Sequence, residues 1–277
     1  MSQKQGLFLE KVIIVTSVWQ RIMYLKINET SAEGVASIMI DVLQTSVKGV
    51  HNTDFFSEEN MNKLKEIMYE HKMPAGSRLF WEGDKADKLY FIKRGRVKIT
   101  KSSDDGKTFI LYMYGEADMF GQLDPFHNST HGFNGEVMED STIGIIQQKD
   151  LEVLLWQHGD LAIEFMKWMG LMHRMTETKF RDIMMFGKPG ALCSTLIRLA
   201  NTYGKPHGTH TVISKKLTNS ELADMIGATR ESVNRMLSDL KKVEVIAYEN
   251  NYIIIKRLDY LRDVCQCENC PKDMCRI

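Results

Sequence analysis

Apolar positions along this chain change period twice, and each change predicts a different kind of element. Between about residues 54 and 150 the apolar residues alternate in short runs closed by glycine turns. Leu79-Phe80-Trp81 runs into Gly83, and Leu89-Tyr90-Phe91-Ile92 is closed at Gly95. Val97-Lys98-Ile99-Thr100 turns at Asp104-Asp105-Gly106, and Phe109-Ile110-Leu111-Tyr112-Met113 runs to Gly115. Short strands punctuated in this way predict a closed antiparallel barrel or jelly roll. Ahead of them, Ser57 before Glu58-Glu59-Asn60 predicts a capped helix. From residue 151 to 187 the period lengthens. Leu151, Leu154, Leu155, Leu161, Phe165, Trp168, Met169, Met172, Met175, Thr176 and Phe180 follow a three/four spacing that predicts one long helix. Such a helix must project from a small barrel, so its seam is expected to meet the same helix of a second copy.

Lys188-Pro189-Gly190 predicts a hinge, Ala191 to Tyr203 a short amphipathic helix, and Gly204-Lys205-Pro206-His207-Gly208 a loop. Thr218-Asn219-Ser220-Glu221 is a capping box that opens a further helix. Gly227 supplies a tight turn, and Thr229 caps a second helix from Arg230 to Lys242. Two short helices on a glycine turn predict a helix-turn-helix, with a small strand pair after it. Val233, Met236, Leu237 and Leu240 form its inward face. Arg230 with Asn234, and Glu231 with Arg235, form two columns at the start of the outward face. The early residues of a recognition helix reach base edges in the major groove, where Arg bonds guanine and Glu accepts from cytosine.

The fold class is therefore α+β, with five segments: 1–53 an extension without assigned role, 54–150 a β-barrel domain, 151–187 a dimerisation helix, 188–262 a winged helix-turn-helix and 263–277 a Cys-rich tail. Met39 offers an alternative start, and Leu7–Val15 is too interrupted by Glu10 and Lys11 to act as a signal peptide. No run of apolar residues is long enough to span a bilayer, so no membrane partner is expected.

Charge adds one restriction. The chain carries 36 Lys+Arg against 36 Asp+Glu, so any attraction to nucleic acid must come from a local face. Four of the five cysteines, Cys265, Cys267, Cys270 and Cys275, fall in the last 13 residues. Their C-x2-C-x4-C spacing suits soft-metal ligation, by zinc or an iron–sulfur cluster, in a reducing cytoplasm. Cys193, among Leu192 and Leu196, is expected to be a small buried apolar residue, and His127, His131, His173, His207 and His210 show no ligand spacing with the cysteines. The sequence has no nucleophile–base pairing and no phosphate-cradling glycine loop, so it is not read as an enzyme.

Arg230-Glu231-Ser232-Val233-Asn234-Arg235 resembles the recognition-helix signature of the cyclic-AMP receptor protein and fumarate–nitrate reduction (CRP/FNR) regulator superfamily. Phe80-x-Glu82-Gly83-Asp84-x-Ala86-x-x-Leu89-Tyr90-x-Ile92-x-x-Gly95 resembles that superfamily's cyclic-nucleotide-binding-like barrel. The resemblance implies a homodimer reading inverted repeats similar to TGTGA through Arg230, Glu231 and Arg235, with RNA polymerase as a partner. Gln122 stands where nucleotide-binding members carry glutamate, and no arginine follows in that loop, so cyclic AMP is not expected. The tail resembles the Gram-positive FNR oxygen regulators. That implies a [4Fe–4S] cluster on Cys267, Cys270 and Cys275, with Asp182 as the fourth ligand and Cys265 as its alternative. A structural zinc remains the alternative metal.

Overall fold

The computed structural model describes residues 51–123 and 128–277. The extension up to residue 50, and His127, lie outside the described residues. The chain opens with α1 (Glu58–Glu66), where the Ser57 hydroxyl accepts from the Asn60 N–H at 3.3 Å as an N-cap. Eight strands follow: β1 (Tyr69–Met73), β2 (Arg78–Phe80), β3 (Lys88–Arg94), β4 (Val97–Ser102), β5 (Thr108–Tyr114), β6 (Met119–Gln122), β7 (Asn134–Val137) and β8 (Ser141–Gln147). They form two antiparallel four-stranded sheets, ordered β1-β8-β3-β6 and β2-β7-β4-β5, so the expected jelly roll is present. Their inner faces bury Tyr90, Ile92, Val97, Ile99, Tyr112 and Ile143 in one aromatic-rich core.

The long helix differs from its expected form. Its first stretch is a separate α2 (Gln148–Gln157), ended by extended backbone at His158. Leu151 is fully buried beside Leu89 and Ile146 of the barrel, so this segment closes the barrel rather than joining the projecting rod. α3 (Gly159–Tyr203) then continues past the predicted hinge and is broken at Gly187 (φ 59°, ψ −165°), one residue before Lys188. That conformation is open essentially to glycine alone. Pro189 sits in the first turn of the second limb, where its missing N–H costs nothing.

The expected apolar seam of α3 divides between two faces. Leu161, Phe165, Trp168, Leu171 and Met175 are buried against the chain's own barrel. On the opposite face Met166, Met169, Phe180 and Met184 are exposed. The second limb is not amphipathic as expected, since every residue from Gly190 to Leu199 is buried. Residues 204–207, read as loop, form β9 (Gly204–His207), paired with β10 (His210–Ile213). Pro206 is tolerated there because β9 is an edge strand. α4 (Asn219–Ile226), α5 (Arg230–Lys242), β11 (Ile246–Glu249), β12 (Tyr252–Ile255) and α6 (Leu258–Val264) complete a winged helix-turn-helix with sheet order β11-β12-β10-β9.

Candidate functional site

Two surfaces gather the chemistry. The first is the exposed start of α5. In the capping box of α4 the Glu221 N–H donates to the Thr218 hydroxyl (3.1 Å) and the Thr218 N–H donates to the Glu221 carboxylate (2.8 Å). The αL residue Gly227 then reverses the chain. Thr229 caps α5 by accepting from the Ser232 N–H at 3.2 Å. Val233, Leu237 and Leu240 are buried, which fixes the roll of α5 and turns Arg230, Glu231, Asn234 and Arg235 outward together. Among the described residues neither arginine makes an ion pair, so both guanidinium forks are free for an external acceptor. Asn234 differs: its amide oxygen accepts from Asn219 on α4 at 3.2 Å, so it also braces the two helices.

The second surface is a cleft at the kink of α3. Thr178, Arg181 and Asp182 before Gly187, and Ser194, Ile197 and Arg198 after it, face Cys265, Cys267, Cys270 and Cys275 of the tail across this cleft. Asp182 is buried, and its carboxylate is salt-bridged to Arg181 (2.7 Å) and Arg198 (2.5 Å) and accepts from the Ser194 hydroxyl. Asp182 is therefore not a solvated surface residue. Arg181 also bridges to Glu268 of the tail at 2.5 Å. Sequence reasoning missed Arg181, Ser194, Arg198 and Glu268. Arg198, a lone charge within the apolar run Leu192–Leu199, was the available signal, because a charge enters such a run only with a partner.

The cysteines are not equivalent. Cys265 caps α6 and packs in the reading domain's core with Leu261 and Cys193, and burial pushes its thiol up to about 11. Cys193 is buried as expected, its thiol pushed up to about 12 by burial. Burial also raises the Cys275 thiol, with Arg198 opposing the shift. Cys267, Cys270 and Cys275 are half-buried at the cleft, and the Asn269 N–H donates to the Cys267 sulfur at 3.4 Å. A backbone N–H aimed at sulfur is the kind of outer contact that orients a cysteine ligand. The donor chemistry therefore fits a thiolate-ligated metal or cluster. Among the described residues, however, no three such donors stand at metal-binding spacing, so the ligands line one cleft without being assembled.

A third feature bears on effectors. A cavity of about 450 Å³ between the barrel and α3 is walled by Phe80, Tyr112, Tyr114, Phe120 and Trp168, with Gln122 and His131 among its polar lining. Among the described residues no lysine or arginine lines it. A buried phosphate there would lack its cationic partner.

Comparison with known proteins adds to this geometry. The model of the cyclic nucleotide-binding domain matches residues 70–158, and that of the Crp-like helix-turn-helix domain matches residues 190–264. The chain is 41% identical over 228 residues to the anaerobic regulatory protein of Bacillus subtilis (strain 168), covering 82% of this chain and 96% of that one. It is 27% identical over 182 residues to the CRP-like cAMP-activated global transcriptional regulator of Mycobacterium tuberculosis (strain H37Rv), covering 66% of this chain and 81% of that one. Among solved structures, a CooA mutant from Carboxydothermus hydrogenoformans aligns with a TM-score of 0.64 at 18% identity, over 80% of this chain and 98% of that one. FixK2 from Bradyrhizobium japonicum aligns at 0.60 and 17% identity, over 72% and 97%. At those identities the structural likeness concerns the fold.

Proposed function

The chain belongs to the CRP/FNR superfamily of transcription regulators, which are not enzymes, and from that premise we propose an oxygen-responsive, DNA-binding regulator of anaerobic genes. In this reading a cytoplasmic homodimer holds palindromic double-stranded DNA of the TGTGA type and contacts RNA polymerase there. Arg230, Glu231 and Arg235 read base edges, and Asn234 supports them from α5. Cys267, Cys270, Cys275 and Asp182 hold a [4Fe–4S] cluster. Cys265, the C-cap of α6 packed in the reading domain's core, is the alternative fourth ligand.

One observation carries the reading: the cysteine cleft straddles the kink of α3, with donors or their partners on both limbs and on the tail. When bound, a [4Fe–4S] cluster supplies an oxygen-labile joint among thiolates. The chain supplies the rest. Asp182 and Arg198 link the two limbs across Gly187, and Arg181 draws the tail toward the first limb through Glu268. Any ligation of the tail to Asp182 therefore fixes the angle between the first limb and the reading head. Such a joint favours the DNA-competent angle only as far as it binds that state better. Cyclic AMP is not an effector in this reading, given Gln122 and a cavity lining without lysine or arginine among the described residues.

Protein prepared without air provides the test. Iron and sulfide content with absorbance near 400 nm supports the cluster, whereas stoichiometric zinc supports a permanent staple. A gel shift on an inverted TGTGA repeat should weaken after exposure to air. Equal binding with and without iron overturns the sensor.

A further inference from the structure

One buried charge pair lies outside both the reading face and the cysteine cleft. Asp118, in the turn between β5 and β6, is fully buried, and Arg276, the penultimate residue, is nearly so. The guanidinium meets the carboxylate end-on and bidentate, Nη1 to Oδ1 and Nη2 to Oδ2, both at 2.8 Å. The same carboxylate accepts from the Asn52 N–H at 3.0 Å and the Gly115 N–H at 2.9 Å. A buried pair of this kind persists only when geometry and extra hydrogen bonds offset its desolvation, and here both are present.

Its neighbours are anchored too. Asn201 donates to the Cys275 carbonyl at 2.7 Å, and the Ile277 N–H donates to the Thr202 hydroxyl at 3.2 Å. Ile277 packs into the core of the reading domain, while Met274 packs into that of the barrel. Residues 274–277 are thus fixed by groups that include no metal donor other than Cys275 itself. Residues 266–273 contrast with them. None of these is buried, and the Glu268–Arg181 bridge is the ion pair that ties them down.

We propose that Arg276 is a positioning residue for the cysteine site: locked on Asp118, it holds Cys275 at the cleft before any metal arrives. This rests on reading the tail as metal-binding. Cys267 and Cys270 then close onto a fixed third thiol, so ligand assembly is intramolecular from a half-built site. On metal loss residues 266–273 come free while residues 274–277 stay docked, and the site can be rebuilt.

Cobalt(II) is a suitable probe, because thiolate ligation shows as charge-transfer absorbance without iron or sulfide. Full-length, reduced, metal-free protein is titrated anaerobically, and the release of Ile277 by carboxypeptidase is followed in parallel. Arg276→Ala should weaken cobalt binding by about 10–100-fold, as loss of an outer partner of a ligand does. It should also turn a resistant C-terminus into a cleavable one. Arg276→Lys, keeping a charge but no fork, should restore part of both. If Arg276→Ala does not fold by circular dichroism, Arg276→Gln replaces it, since it keeps one donor toward Asp118. Unchanged cobalt affinity in a folded neutral variant, or a wild-type C-terminus digested as fast as the variant's, overturns the proposal. Wild-type protein that binds no cobalt yet resists digestion removes the metal reading and the positioning role with it, and leaves a purely structural lock.

Discussion

Arg230 and Arg235 present uncompensated charge at the entrance of α5, and the size of their effect on DNA can be stated in advance. A well-made bidentate contact to guanine is worth about 1–3 kcal/mol of discrimination. Arg230→Ala should therefore lose about that much affinity for an inverted TGTGA repeat and tolerate base changes at the contacted position. Fluorescence anisotropy against matched and mismatched repeats measures both, and a uniform loss across sequences would instead assign Arg230 to phosphate. His131 makes a different prediction. Its ring stacks on Phe80 with centroids 3.8 Å apart, and burial lowers its pKa against the opposing pull of Asp84 and Asp87. The unfolded ring titrates near about 6.5, so below that pH the unfolded chain takes up a proton that the folded chain resists. Its contribution to stability is present above that pH and is lost on acidification until the folded ring is itself protonated. His131→Phe keeps a stacked ring and should flatten the fall in Tm between neutral and acidic buffer; an unchanged slope would place the acid sensitivity elsewhere. Residues of this kind were unevenly legible. The outward set on α5 could be read because helical spacing alone decides which side chains share a face. The partners of Asp182 could not, because Ser194 and Arg198 reach it only across a kink whose angle no local pattern encodes.

At the scale of elements, periodicity recovered the four barrel strands β2 to β5 and both reading helices, did not single out β1, β6, β7 or β8, and failed where two elements abut. α2 and α3 were read as one helix because Leu151, Leu154, Leu155 and Leu161 keep a common spacing across His158. The break is at the backbone: His158 is extended, while Leu151 before it and Leu161 after it are both buried in one cluster with Leu89 and Ile146. β9 was missed because Pro206 and two flanking glycines carry a loop signal, which an edge strand can absorb. The kink was legible to within a residue, since glycine beside proline marks a place where a helix restarts. Gly187 is the element on which transmission turns, and it yields a clean test. A β-carbon there would meet nothing closer than Pro189 Cδ at 3.8 Å, so replacement costs backbone strain and no clash. Gly187→Ala should lower stability by about 1–3 kcal/mol through its φ of 59° and ψ of −165°. Urea unfolding should show the midpoint falling with an unchanged slope. If the helix relaxes to a straighter course instead, stability is spared and binding to the two-fold repeat is lost.

For the whole molecule the decisive quantity is whether two reading heads act together. Within one chain the buried face of α3 is already satisfied by the barrel, so the opposite face is the surplus. Met166, Met169, Phe180 and Met184 lie along it at helical spacing, interrupted by the His173–Glu177 pair at 3.0 Å. An apolar stripe of this length on a helix whose other face is already packed is what a two-fold coiled interface uses. Linking two heads in this way makes the second half-site contact intramolecular, worth about 10²–10⁴-fold over one head alone. Phe180→Glu separates the two effects because Phe180 is 66% exposed and its loss opens no cavity within the chain. The variant should keep its circular dichroism and its binding to a single half-site. It should sediment as a monomer and lose most of its preference for the inverted repeat over that half-site. A variant that still sediments as a dimer and still prefers the repeat would move the interface off this face of α3. A wild-type chain that is monomeric at the same concentration would leave the repeat to be read by heads that meet only on DNA.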